Sequence, residues 1–148
     1  RGLGNISFHD YRIAYNSVNL PNVNVFKKQI RRLKLLLLIA KPNKTQRRDI
    51  DFLLTLGEIF TLVVYGQLIL ENAKIDNIDD DIIDHIFDCM VRDFSKFAVQ
   101  LYSKSSATCI QRRISSMMIK KPISNKDRFK RVWAKHVYTL TNQYIMSE

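Results

Sequence analysis

The stretch "IFTLVVYGQLILE", Ile59 to Glu71, decides how this chain is read. It is apolar enough for a membrane span, yet Glu58 stands beside it and Thr61, Gly66 and Gln67 lie within it. The flanking residues extend the pattern. Ile50, Leu53, Leu54, Ile59, Phe60, Val63, Val64 and Leu68 surround most of a helical cylinder. Such a helix is central in a bundle or spans a bilayer. The window Phe52 to Leu70 has about the 19-residue length by which spans are recognised. Against a span, Asp51 and Glu58 sit in or beside the window, and Thr55, Thr61 and Gln67 form a polar seam. A mid-helix acid costs about 3 kcal/mol on insertion scales. No second comparable segment exists. The stretch is therefore expected at the buried centre of a helical bundle, in a helix capped by Asn43 or Thr45 and running to about Lys74. Gly57 and Gly66 each cost such a helix about 1 kcal/mol against Ala. Close approach of a neighbouring helix is the expected reason.

Helical periodicity continues on both sides. In "NVFKKQIRRLKLLLLIAKP", Phe26, Ile30, Leu33 and Leu37 repeat at steps of four, three and four, and Leu35, Leu36 and Ile39 widen the stripe. Pro42 ends that helix. "DNIDDDIIDHIFDCMVRDFSKFAVQLYSK" starts with Asp79, Asp80, Asp81 and Asp84 and ends with Lys96 and Lys104, the polarity a helix dipole favours. Its core stripe is Ile83, Phe87, Met90, Phe94, Phe97 and Leu101. Ser105 or Ser106 is expected to cap a helix through "ATCIQRRISSMMIKK", ended by Pro122. Ser124 with Asp127 opens a last one carrying Phe129, Val132, Trp133, His136, Val137 and Leu140. The expected fold is all-α, an antiparallel bundle of about five helices. Residues 23–148 form the bundle. Residues 1–22 are read as a leading segment, remnant of or linker from a larger body, with "NSVNLPNVN" as the joint.

The totals agree with this class. A chain of 148 residues, 46% apolar and 26% charged, has the composition of one globular domain. Four Gly and three Pro are too few for a sandwich or a loop-rich scaffold. Cys89 and Cys109 show no disulfide-framework spacing, so a reducing, cytoplasmic setting is expected. The opening "RGLGNISFHDYRIAYNSV" lacks the apolar core of a secretory signal and starts with Arg. A processed chain, or the tail of a longer one, is the expectation.

Charge comes in blocks within a net +10. From Lys27 to Arg48 nine basic residues meet no acid; from Glu71 to Asp93 eight acids face Lys74 and Arg92; from Lys104 to Lys135 ten basic residues face Asp127 alone. Lys27, Lys28, Arg31, Arg32 and Lys34 are the candidate polyanion or partner surface. They can neutralise phosphates, or with Leu35 to Leu38 lie on an anionic membrane. The blander alternative is a solvated face with salt bridges to the Asp-rich helix. No helix-turn-helix, zinc finger or RNP aromatic pair accompanies them, which disfavours nucleic acid.

Catalytic motifs are absent: no G-x-G-x-x-G, phosphate loop or G-x-S-x-G elbow. His85 and Cys89 lie four apart, a spacing that can share a metal. Two further ligands would be needed, and Cys109 and His136 are scattered. The preferred reading is an amphipathic helix with a half-buried Cys and a capped His. His9 with Asp10 and Tyr11 makes a polar group without catalytic pattern. No catalytic, cofactor-binding or metal residue is assigned.

"RRDIDFLLTLGEIFTLVVYGQLILENA", "IFDCMVRDFSKFAVQLYSKSSAT" and "MMIKKPISNKDRFKRVWAKHVY" resemble the C-terminal region of the larger bacterial-type acyl-CoA dehydrogenases. The likeness covers Leu20 to Tyr144. It rests on Tyr65-Gly66-Gln67, Arg92-Asp93-Phe94-Ser95, Lys104-Ser105-Ser106-Ala107-Thr108, Arg128-Phe129 and Val132-Trp133. The resemblance implies a FAD-dependent parent that removes a proton α to a thioester by a carboxylate and passes hydride from the β carbon to flavin. The family's Tyr-Glu-Gly-Thr segment with its catalytic glutamate is missing. The glutamates here are Glu58, Glu71 and Glu148, and Glu58 is read as structural. The flavin-holding Gln- and Gly-rich segments and the β domain are missing too. The resemblance thus implies a non-catalytic helical portion, holding no FAD itself. Its partners would be the parent's catalytic body or a second subunit, with contact to an anionic membrane as a further option.

Overall fold

The computed structural model describes residues 10–141 and 143, and His9 and Glu148 lie outside them. The described residues form an all-α bundle: α1 (Tyr11–Asn16), α2 (Pro21–Ile39), α3 (Ile50–Ile75), α4 (Asp80–Ser103), α5 (Cys109–Met118) and α6 (Lys126–Val132). A single tight turn, Gln46–Arg48, precedes α3. Beyond α6 the backbone widens into a π-type turn over Trp133–Val137.

The helix starts lie a few residues from those expected. Asn43 and Gln46 bond each other reciprocally, backbone N–H to side-chain oxygen, at 3.0 and 2.9 Å. They close the tight turn, and Asp49 caps α3 by accepting from the Phe52 N–H at 3.1 Å. That bond holds the Asp49 carboxyl below the usual carboxylate range. Thr108 and Gln111 form a capping box on α5, displacing Ser105 and Ser106. Asn125, one residue after Ser124, accepts from the Asp127 and Arg128 N–H groups at 3.0 Å. Each chosen cap has an acceptor three residues or fewer before the first orphan N–H, which is what capping requires.

The central helix is α4, not α3. It packs against α2, α3, α5 and α6. Ile83, Phe87, Met90, Phe94 and Leu101 are buried as expected, joined by Val91 and Ala98, while Phe97 is half-buried. Phe26 of α2 meets Phe87 and Phe94 edge-on, both with ring centres at 5.4 Å. Gln29, buried beside it, donates to the carbonyls of Val91 and Met118 at 3.2 and 2.9 Å, tying α2 to α4 and α5.

Residues 1–22 do not form a separate unit in the part described. Tyr15 of α1 is buried, stacks on Phe26 at 6.0 Å and donates its hydroxyl to the Val63 carbonyl at 2.7 Å. Burial pushes that hydroxyl's pKa up. The boundary expected after residue 22 falls inside α2, because an apolar ring and a hydroxyl acceptor in α3 anchor α1 to the core.

Helix α3 contributes one narrow stripe: Phe52, Thr55, Ile59, Val63, Gly66, Leu70 and Ala73. Of the eight apolar positions expected to be enclosed, Ile59 and Val63 are buried and Val64 is half-buried. Ile50, Leu53, Leu54, Phe60 and Leu68 are exposed. All-round apolarity marks a helix that needs apolar neighbours on every side; it does not require this chain to supply them. The polar seam also dissolves. Thr55 is buried and donates to the Asp51 carbonyl at 3.0 Å, Thr61 and Glu58 face outward, and Gln67 donates to Glu71 at 2.8 Å.

Candidate docking surface

Helix α3 is the one helix among the described residues long and apolar enough to cross a membrane, with 28% of its most apolar window buried. Its outward crest exposes Leu54 by 62%, Tyr65 by 57% and Leu68 by 54%. Soluble monomers rarely leave so much contiguous apolar surface without a use. The end of α2 adds Leu38 and Ile39, each exposed by about three-fifths. Leu37, placed by its spacing on the buried stripe, is also exposed, because Leu36 takes the core position.

The two glycines of α3 part company here. A Cβ on Gly66 would lie 2.3 Å from the Tyr15 hydroxyl and 3.1 Å from Met90, so close packing explains it. A Cβ on Gly57 would meet nothing within 4 Å. Among the described residues nothing explains Gly57.

Between α2 and α3 runs a trough of about 530 Å³, with α1 at one side. Its floor and walls are Ile30, Leu33 and Leu37 of α2 and Phe60, Val63, Val64 and Gln67 of α3. Asp10, Arg12 and Lys34 stand on its rim, and an adjoining hollow of about 210 Å³ adds Lys27 and Arg31. Three of the five basic residues picked out from the sequence (Lys27, Arg31 and Lys34) thus line these hollows. Lys28 and Arg32 point elsewhere on α2. None of the five makes an ion pair among the described residues. The Asp-rich start of α4, the alternative partner expected for them, is engaged by α6 and the turn after it.

That engagement is extensive. Arg131 grips Asp81 through two bonds of 2.6 and 2.8 Å, and Lys135 reaches Asp79 at 2.9 Å. These bonds hold both carboxyls below their ordinary range. Deeper in, Arg128 pairs with Asp84, with Asp88 at 3.7 Å. Asp84 also accepts the Asn22 backbone N–H at 2.7 Å, and Asn22 in turn accepts from the Ile123 N–H at 2.7 Å. The knot is structural: it fastens α2, α4 and the segment before α6 together. Sequence spacing gave no sign of it, since the pairs joined by these hydrogen bonds are 44 to 101 residues apart.

His85 and Cys89 do not gather a metal site. Cys89 is exposed rather than half-buried, and His85 lies against the Phe129 ring at 6.1 Å. Among the described residues no group of three or more His, Cys, Asp or Glu side chains is placed to hold a metal. The described surface offers binding chemistry, namely an apolar floor, a rim with Lys34 and the Arg12–Asp10 pair, and an apolar crest. No protein-family model, curated protein or solved structure matches this chain.

Proposed function

We propose that this chain is a non-catalytic helical docking module, the late helical portion of a FAD-dependent acyl-CoA dehydrogenase whose parent reaction is α,β-dehydrogenation of an acyl-CoA. The observation that carries the docking reading is α3, a 26-residue helix with one buried stripe and an apolar crest facing outward. The parent's identity rests on the residue resemblance alone. In this reading the crest packs on the catalytic body or a second subunit, and the flavin and the base belong to that body. A free-standing polyanion binder is the rival, favoured by the unpaired cations on α2.

The test is site-specific photo-crosslinking in cells, with a photoreactive amino acid at Leu54 or Leu68. A crosslink to a flavin-containing acyl-CoA dehydrogenase body, in the same or another chain, is expected. Reaction with lipid or nucleic acid instead, or none at all from either position, would remove the docking reading.

A further inference from the structure

We propose that the trough between α2 and α3 receives an acidic amphipathic α-helix of a partner protein. Two features point to this occupant. The trough is concave and apolar at its floor, where Leu37 and the 58%-exposed Phe60 are left uncovered by the described residues. A helix laying an apolar stripe along such a groove is a recurring mode of recognition. Its rim holds Lys34 and the Arg12–Asp10 pair, joined at 2.6 Å, and the adjoining hollow adds Lys27 and Arg31, so cations outnumber the one carboxylate; Lys27, Arg31 and Lys34 have no ion pair among the described residues. Opposite charge on the occupant is the complement. A flat bilayer or a phosphate backbone would use the cations but would have no use for the concavity.

The inference rests on the docking reading but fails separately from it. The probe is a fluorescent synthetic helix with leucine on one face and glutamate on the other, titrated against the full 148-residue chain by anisotropy. The control peptide carries lysine in place of glutamate. The glutamate peptide should bind at least about tenfold more tightly, with affinity falling as salt rises. Arg31→Glu with Lys34→Glu should weaken it by at least about tenfold. Phe60→Ala should weaken it comparably while leaving the melting temperature nearly unchanged, because Phe60 is exposed, so a folding defect cannot explain the loss. Phe60→Ala leaves Leu54 and Leu68 in place, so the docking reading is unaffected. Equal binding of the two peptides would overturn the proposal, as would full affinity in Phe60→Ala. So would phosphatidylserine vesicles or duplex DNA that bind the chain and displace the peptide while remaining insensitive to that substitution.

Discussion

At the scale of the residue, the two glycines of α3 are one residue type in one helix with opposite reasons for being there. Replacing Gly57 by Ala adds a methyl into open space and removes the entropic cost of glycine. Gly57→Ala should therefore stabilise the isolated chain by about 1 kcal/mol, a rise of about 2–4 °C in melting temperature for a chain of this size. Gly66→Ala gains the same helix propensity but drives a methyl to 2.3 Å from the Tyr15 hydroxyl. That hydroxyl is buried and committed to the Val63 carbonyl, and its ring is wedged between Phe26 and Phe87. Overpacking of this kind costs about 1–3 kcal/mol, so the melting temperature should fall. Thermal melts of the two variants side by side check both signs at once. A gain for both would mean that α1 does not sit on α3 as described. Sequence alone could not separate the two positions, because a helix pattern shows where glycine stands and not what approaches it.

At the scale of the element, most of the fold was legible and the pairing of charged elements was not. The α4 stripe from Ile83 to Leu101 was readable because a strongly amphipathic helix tells its buried side from its wet side. Helix α3 lacks that asymmetry, so its sequence announced apolarity without saying which face would be covered. The basic block of α2 was the candidate salt-bridge partner for the acidic block of α4. Topology decided for α6 and the turn after it, where Arg131 and Lys135 meet Asp81 and Asp79. Those two carboxyls are held low by their cationic hydrogen-bond partners. A lowered folded pKa means stabilisation that is complete above the unfolded value, about 3.9 for Asp, and is lost as pH falls through the folded value. The clasp of α6 on α4 should hold at neutral pH and loosen below about pH 4. Trp133, the single tryptophan, stacks on Phe129 at 5.7 Å just beyond α6 and reports the event by its fluorescence. Arg131→Gln with Lys135→Gln removes the cations that depress the carboxyls, so the acid midpoint should move upward. An unchanged midpoint would mean that the exposed pairs contribute nothing measurable, as many surface pairs do.

At the scale of the whole molecule, two surface properties oppose each other, and their balance gives a test that separates the competing readings by sign. The chain carries a net charge of +10, so copies repel one another. The same molecule presents an apolar crest along α3 that is stabilised by being covered, at about 25 cal/mol for each Å² removed from water. Salt weakens the first and leaves the second. The Debye length falls from about 10 Å at 0.1 M to about 3 Å at 1 M ionic strength, so repulsion between copies is largely screened while apolar burial persists. In the absence of its partner, the chain should therefore self-associate more as salt rises, as read by sedimentation velocity. Leu54→Lys with Leu68→Lys should hold it monomeric across the range without changing its helical circular dichroism, because both side chains lie outside the core. A polyanion binder predicts the reverse dependence for its essential interaction, since phosphate contacts release counterions and weaken steeply with salt. Salt-driven association abolished by the crest substitutions would place the working surface on α3. A chain that stays monomeric at high salt, yet binds DNA tightly at low salt, would move that surface to the cations of α2 and leave the exposed leucines of α3 without a role.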